Sequence, residues 1–168
     1  MHWRLLERIT ELEPGKRALG VARTDFPEQL FADHFPSFPV TPGVLLVEMG
    51  AQLAGRLVEA TGFEQCGHWI YPALIMVENA KFLTFVPPGS VIDIVADLKE
   101  MQPETAITKV RLTQGKQRIA SLRLVFGFDP RGRLEQGDPR ILEAFERAEL
   151  ERLGSPWLPG GMRVLDEE

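Results

Sequence analysis

One segment of the chain, from His34 to Glu48, concentrates the residues that could perform chemistry. A histidine titrates near neutral pH and can accept a proton, whereas a carboxyl group among apolar neighbours favours its protonated form and can donate one. Between the two residues, prolines recur at positions 36, 39 and 42. This interval is the repeat of a polyproline II helix, so we predict a stiff strap that holds His34 in a fixed position.

A long helix is predicted to begin at Gly43 and to run to about Ala60, where Thr61-Gly62 is a plausible stop. The first turn of a helix has free N–H groups and the positive end of the helix dipole. This arrangement suits a carbonyl oxygen that gains negative charge. A glycine at this position would let a ligand approach the backbone closely.

Glu48 interrupts an apolar run, and the residues alone leave two interpretations of it open. If Glu48 is buried, it is a usable proton donor, and Gln52, one helical turn further on, could orient it. Arg56 and Glu59 fall near the same direction of the helix. The same residues could therefore form a polar stripe that faces solvent, with His34 in an ordinary loop.

The order of residues across this segment resembles a family motif. The pattern His-Phe-Pro-x-x-Pro-x-x-Pro-Gly-Val-Leu-x-x-Glu, followed by Ala51-Gln52, is similar to the signature of the FabZ/FabA-type 3-hydroxyacyl-(acyl-carrier-protein) dehydratases. Ala80-Lys81-Phe82 and the segment 86–90 resemble two further patterns of that family, so the similarity covers roughly residues 3–128. The resemblance implies the hot-dog fold, in which a curved antiparallel sheet wraps around a long central helix.

The resemblance also implies roles for four residues. His34 matches the catalytic histidine and Glu48 the catalytic carboxylate, while Gly43 matches the glycine whose N–H binds the thioester carbonyl. Gln52 matches the glutamine that supports the carboxylate. His34 would remove the C2 proton of a (3R)-hydroxyacyl thioester, and Glu48 would protonate the leaving hydroxyl. The expected product is a trans-2-enoyl thioester, and the reverse hydration is expected as well.

Partners follow from the same resemblance. It implies a homodimer in which the histidine of one subunit faces the acid of the other, with a hexamer as the larger alternative. The substrate would be carried by acyl carrier protein or by CoA, and no metal or other cofactor is needed. Phe35 and Phe38 are candidates for the acyl channel. Two other hot-dog functions stay open, namely a non-catalytic acyl-binding subunit of a heteromeric dehydratase and an acyl thioesterase.

The remaining patterns predict the elements that position this segment. The predicted helix is apolar around most of its circumference and needs a partner that surrounds it, such as a curled antiparallel sheet. We therefore expect an α+β fold. Strand candidates lie at residues 3–12, 16–24, 90–100, 105–114 and 117–128, and residues 70–86 are expected to be extended.

The C-terminal part is predicted to be an addition to this fold. We expect a hot-dog domain at residues 1–128 and an extension at 129–168. Asp138 is a good N-cap, so an amphipathic helix is predicted over about 138–153. Glycines and prolines from Gly154 onward predict a loose tail. The expected apolar stripe of the helix comprises Ile141, Leu142, Phe145 and Ala148.

Composition excludes several other classes of protein. With 19 Lys plus Arg and 24 Asp plus Glu in 168 residues, the net charge is −5, which argues against nucleic acid or an anionic membrane as partner. The single cysteine, Cys66, excludes an internal disulfide framework, and three scattered histidines argue against a metal site. No secretory signal or membrane span is recognisable, so a cytoplasmic location is expected.

Overall fold

The computed structural model describes residues 3–32, 34–133 and 138–160. In this part of the chain one antiparallel sheet has the strand order β1-β2-β4-β5-β6-β3. The predicted α+β class and the antiparallel sheet around a central helix are confirmed. The strands are β1 (Leu6–Glu13), β2 (Arg17–Arg23), β3 (Ala73–Phe82), β4 (Val91–Met101), β5 (Thr105–Gln114) and β6 (Gln117–Gly127). The helices are α1 (Glu28–Ala32), α2 (Gly43–Cys66) and α3 (Pro139–Arg152).

The central helix α2 has 24 residues and contacts every strand of the sheet. Met49, Leu53 and Leu57 are fully buried, which follows from the apolar circumference in the sequence. The predicted stop at Thr61-Gly62 is wrong. The Thr61 hydroxyl donates to the Leu57 carbonyl at 2.6 Å within the helix, and α2 ends only at Gly67, whose φ is 74°.

The strap before α2 is not a polyproline II helix. Phe35 and Phe38 exchange two backbone hydrogen bonds of 3.2 and 3.0 Å, and Ser37 between them has a φ of 67°. Polyproline II has no internal hydrogen bonds, so the tight turn satisfies backbone groups that the predicted conformation would leave to solvent. The strap is still anchored, because the Thr41 N–H donates to the Val86 carbonyl at 2.7 Å.

The helix α3 begins at its predicted cap, where the Asp138 carboxylate accepts from the Arg140 N–H at 2.9 Å. The predicted apolar stripe, however, does not face the core. Ile141 and Phe145 are 69% and 49% exposed, and Leu150 is the buried apolar residue of α3. The orientation is set instead by Glu146, whose carboxylate contacts the Arg56 guanidinium of α2.

The predicted loose tail is wrong for residues 154–160. Ser155, Trp157 and Leu158 are buried, and the Trp157 indole N–H donates to Glu64 at 2.9 Å. The Trp157 ring also packs edge-on against two aromatic rings, those of Phe63 and Trp69. Residues 161–168 of the predicted tail lie outside the described residues. The boundary at residue 128 stays a prediction, and α3 adds Leu150 to the same core as the sheet and α2.

The two edge strands have different surroundings. The Ile9 N–H of β1 donates to the Leu153 carbonyl at 2.8 Å, so the end of α3 covers part of that edge. Every residue of β3 is exposed, including four consecutive apolar residues, Leu74, Ile75, Met76 and Val77. Among the described residues, no helix is long and apolar enough to cross a membrane.

Candidate active site

Gly43 opens α2 at the surface of the molecule, with its N–H in the first helical turn. No helical carbonyl is available to an N–H at that position, so it is free for another acceptor. A side chain at position 43 would be crowded on one side, because a Cβ there would lie 3.0 Å from Cζ of Phe82 and the ring would have to shift by a few tenths of an ångström. The glycine therefore lets the Phe82 ring pack directly against the start of the helix.

His34 is half-buried just before the tight turn of the strap. Its Nδ1 lies 3.0 Å from the Val40 carbonyl oxygen, and its ring stacks on Phe35 at a centroid distance of 4.6 Å. A carbonyl oxygen only accepts hydrogen bonds, so the neutral imidazole carries its proton on Nδ1. The lone pair of Nε2 is then available to act as a base.

Glu48 is half-buried and held by two donors. Its Oε1 accepts hydrogen bonds of 2.9 Å from Gln52 Nε2 and from the indole N–H of Trp3. The Gln52 amide is oriented in turn, because its Oε1 accepts from the Leu5 N–H at 2.9 Å and its Nε2 also donates to the Trp3 carbonyl at 3.1 Å. The second oxygen, Oε2, is left for another partner.

Trp3 is a site residue that the sequence analysis missed. It lies ahead of β1, and no spacing rule connects it with a carboxylate on a helix far along the chain. The only signal in the sequence was an aromatic residue with an N–H donor close to the first strand. The structure brings it to Glu48 because β1 packs along α2.

The sequence left open that the polar residues of α2 form a stripe that faces solvent. Beyond Gln52 this interpretation is wrong. Glu59 is only 3% exposed and its Oε2 lies 2.7 Å from Nη1 of Arg56. The same Nη1 contacts the Glu146 carboxylate of α3. The pKa of Glu59 is raised to about 8, mainly because burial disfavours the charged form of the carboxyl group. The nearby guanidinium of Arg56 lowers this pKa, and the like charge of Glu146 raises it further.

A cavity of about 310 Å³ connects these two ends of the polar face of α2. It begins beside Glu48 and Gln52 and ends at the cluster that we call the charged triad, Arg56, Glu59 and Glu146. The opposite wall is apolar and aromatic. It comprises Tyr71, Pro72, Leu74 and Phe126.

The described part of the chain does not join all the predicted site residues. Glu48 and Gln52 are in contact, whereas no hydrogen bond within the described residues links His34 to Glu48. Phe35 and Phe38 are 52% and 58% exposed. Phe38 packs edge-on against Phe85, and these rings belong to an exposed apolar surface that also includes Val44, Phe82, Leu83 and the apolar residues of β3.

The comparisons with known proteins identify the family of the chain. Residues 13–123 match the model of the ApeI-like family, described as ApeI dehydratase. The chain is 34% identical over 122 residues to the 3-hydroxyacyl-(acyl-carrier-protein) dehydratase FabZ of Clostridium acetobutylicum, covering 73% of this chain and 84% of that protein. It is also 34% identical over 122 residues to the FabZ of Geobacillus thermodenitrificans, covering 73% and 82%.

Solved structures share the fold. The protein smu.793 from Streptococcus mutans, bound to acetyl CoA, matches with a TM-score of 0.59 at 13% identity and covers 76% of this chain and 91% of its own. The dehydratase heterocomplex ApeI:P from Xenorhabdus doucetiae matches with a TM-score of 0.52 at 16% identity, covering 71% and 96%. At these identities the likeness shows the hot-dog fold alone.

Proposed function

Because the chain belongs to the ApeI-like dehydratase family, we propose that it is a hydro-lyase that dehydrates (3R)-hydroxyacyl thioesters to trans-2-enoyl thioesters, reversibly. The observation that carries the proposal is the fixed position of the Glu48 carboxyl group, since it is held through one oxygen by Gln52 and Trp3 and keeps the other free beside a cavity. Loss of a hydroxyl group requires a proton donor in a fixed position, and the acyl chain requires space beside it.

The reaction divides between the two proton-transfer groups. His34 Nε2 takes the C2 proton, and the electron pair of that bond moves toward the thioester carbonyl. The carbonyl oxygen gains negative charge, which the Gly43 N–H and the positive end of α2 stabilise. The C3–O bond then breaks as Glu48 gives its proton to the hydroxyl, and water leaves. The double bond between C2 and C3 completes the enoyl product.

We further propose that the active unit is a homodimer with shared sites. Exposed apolar residues lie on the strap, at Val44 in the first turn of α2 and along the open edge strand β3, and Phe82 of β3 packs against the start of α2. Monomeric soluble proteins rarely expose surfaces of this kind, and an unpaired apolar edge strand is a template for a second chain. A second copy on this surface would set its own His34 toward Glu48. A hexamer would be an assembly of such dimers.

The carrier of the acyl group is part of the proposal. Acyl carrier protein and CoA offer the same pantetheine thioester to the site, so both are expected to deliver the substrate. Phe35 and Phe38 are proposed to line the entrance, since both rings are exposed beside His34. Fatty-acid or related acyl-chain biosynthesis and a cytoplasmic location remain predictions.

A dehydration assay tests the activity. Purified protein is mixed with 3-hydroxyacyl-CoA and with the 3-hydroxyacyl carrier protein, and enoyl product is measured for the wild type, His34→Ala and Glu48→Gln. We expect product from the wild type and a loss of at least about 100-fold in each variant. Glu11→Gln and His68→Ala, at exposed positions, are matched controls that should stay active. Free thiol without enoyl product would identify a thioesterase, and no product from folded protein would favour the acyl-binding subunit.

A mixing experiment tests whether the sites are shared. His34→Ala and Glu48→Gln subunits are unfolded together, refolded and assayed. If each site takes its histidine and its acid from different subunits, a mixed dimer has one intact site. Random assortment then restores about one quarter of the wild-type activity. If both residues belong to the same chain's site, the mixture stays inactive.

A further inference from the structure

The cavity beside Glu48 leads away from the proposed site in a defined direction. Glu48 would hold the hydroxyl at C3, so the rest of the acyl chain must leave from a point next to this side chain. The cavity opens there and follows α2 toward its C-terminal end, between Ala51 and Gly55 on one side and Leu74 and Phe126 on the other. These small and apolar residues suit an alkyl chain.

The charged triad closes the far end of this cavity. Arg56 lies between two carboxyl groups, one from Glu59 of its own helix and one from Glu146 of α3 in the C-terminal part of the chain. The triad therefore exists only because α3 packs over α2. An apolar chain that reached it would remove water from charged groups without replacing their hydrogen bonds, which is unfavourable.

We propose that this cavity binds the acyl chain beyond C3 and that Arg56, Glu59 and Glu146 form the stop that limits its length. The proposal rests on the dehydratase function and adds the class of substrate, namely apolar acyl chains of medium length. It also assigns the C-terminal helix a part in choosing the substrate.

The geometry of α2 gives the length of chain that fits. Arg56 lies eight residues beyond Glu48, a rise of about 12 Å along the helix, and an extended chain covers roughly 1.2 Å per bond, so about ten carbon atoms fit. The preferred substrates are therefore expected near twelve carbons in all.

The test is a series of 3-hydroxyacyl-CoA substrates of six to sixteen carbons. In the wild type, kcat/KM should rise with length by up to about fourfold per buried methylene and then fall beyond about twelve carbons. The variant R56M/E59L/E146L removes the triad as a set and leaves no unpaired charge, which proteins tolerate well. Its activity on sixteen carbons relative to eight should rise at least about tenfold.

A second variant shifts the limit in the opposite direction. Gly55 lines the cavity, and a Cβ there would lie at an ordinary contact distance of 3.7 Å from Phe126. Gly55→Leu should therefore be accepted in the helix and fill part of the cavity, so that activity falls first on the longest chains. The matched control is R17M/D97L/R111M, which removes an ionic cluster on the sheet that does not line this cavity. Its length profile should equal that of the wild type.

The outcomes separate this proposal from the dehydratase function. If the wild type, the triad variant and Gly55→Leu are all active with the same dependence on chain length, the charged triad does not limit the acyl chain. The proposed dehydratase function would still hold. If no chain is dehydrated, the function fails, and calorimetry with saturated acyl-CoAs still decides on the cavity. The affinity should then stop improving near twelve carbons in the wild type and continue to improve in the triad variant.

Discussion

The two edge strands of the sheet show opposite ways to finish a β-sheet. On the β1 side, the Ile9 N–H is satisfied by the Leu153 carbonyl, and the Arg152 guanidinium reaches the Leu6 carbonyl at 3.4 Å. On the β3 side, the outward surface is apolar, exposed and free of such contacts within the described residues; Ile75 and Met76 are 59% and 54% exposed.

This difference indicates which partner each edge requires. The unpaired edge of a sheet has to be covered. At β1 the same chain provides this cover with residues at the end of α3, which follows the last strand, β6. The C-terminal part is therefore an internal edge cover as well as a wall of the charged triad. The β3 edge is the one that we proposed for a second chain, and its last residue, Phe82, packs against Gly43 at the end of the strap.

The largest effect is expected from a charge on the open edge. Met76→Lys should give a monomer by size-exclusion chromatography with light scattering, because a buried lysine without a partner is costly at an interface. Since each proposed site needs two subunits, dehydration should fall by at least about 100-fold. The same charge on β1, in Glu11→Lys, should change neither property. A monomeric Met76→Lys protein with full activity would contradict the shared site.

A loss of stability is expected where the residues after α3 pack against the end of α2. Trp157→Ala removes a buried ring that packs on Phe63 and Trp69, and should cost about 3 kcal/mol of unfolding free energy. That corresponds to a decrease in Tm of roughly 6–12 °C for a chain of this size. Ile141→Ala, at an exposed position of α3, should change stability by less than about 0.5 kcal/mol. Equal losses of unfolding free energy for Trp157→Ala and Ile141→Ala in urea would contradict the packing role of Trp157.

The charged triad predicts how stability depends on pH. The pKa of Glu59 is raised from 4.5 to about 8, so between these values the folded chain holds a proton that the unfolded chain has released. Stability from this group is thus fully present below about pH 4.5 and is lost as the pH rises toward 8, by at most about 1.4 kcal/mol per pH unit. Glu59→Gln should flatten this slope in urea unfolding at pH 5 to 8, whereas Glu11→Gln should leave it unchanged. An unaltered slope in Glu59→Gln would count against the buried carboxyl.

The smallest effect is expected from the segment that precedes β1. Trp3→Phe keeps an aromatic ring but removes the N–H that donates to Glu48. Because this contact is partly exposed, we expect kcat to fall only about three- to tenfold, with KM and Tm nearly unchanged. Trp3→Ala should lower kcat no further than Trp3→Phe if the hydrogen bond is what matters. A change in KM alone would show that Trp3 contacts substrate rather than positioning Glu48.

The patterns that worked in the sequence are those confined to one element. The alternation predicted strands at 90–100, 105–114 and 117–128, and the structure has them at Val91–Met101, Thr105–Gln114 and Gln117–Gly127. The apolar circumference predicted the central helix, and the Asp138 cap predicted the start of α3. In each case the residues that decide the conformation are neighbours along the chain.

The predictions that were wrong depended on distant partners. The turn residues Thr61-Gly62 did not end α2, because Gly62 packs closely against Ile70, where no side chain would fit. The apolar stripe of α3 turned outward because Glu146 meets Arg56 across the molecule. The tail packed down because Trp157 found an aromatic pocket formed by α2 and the residues after it. Local composition cannot weigh such contacts.

By itself, the sequence determined the fold class, the residue at which the central helix begins and the identity of the proposed chemical groups. Strand and helix patterns along the chain carry the fold class, and the segment from His34 to Gln52 carries the chemical groups. Only the tertiary structure decided that Trp3 also holds Glu48, that Glu59 is buried and Arg56 half-buried under α3, and that one sheet edge is covered while the other is open. The reason is physical: these features are contacts between segments far apart in sequence, and they form only when the chain packs against itself.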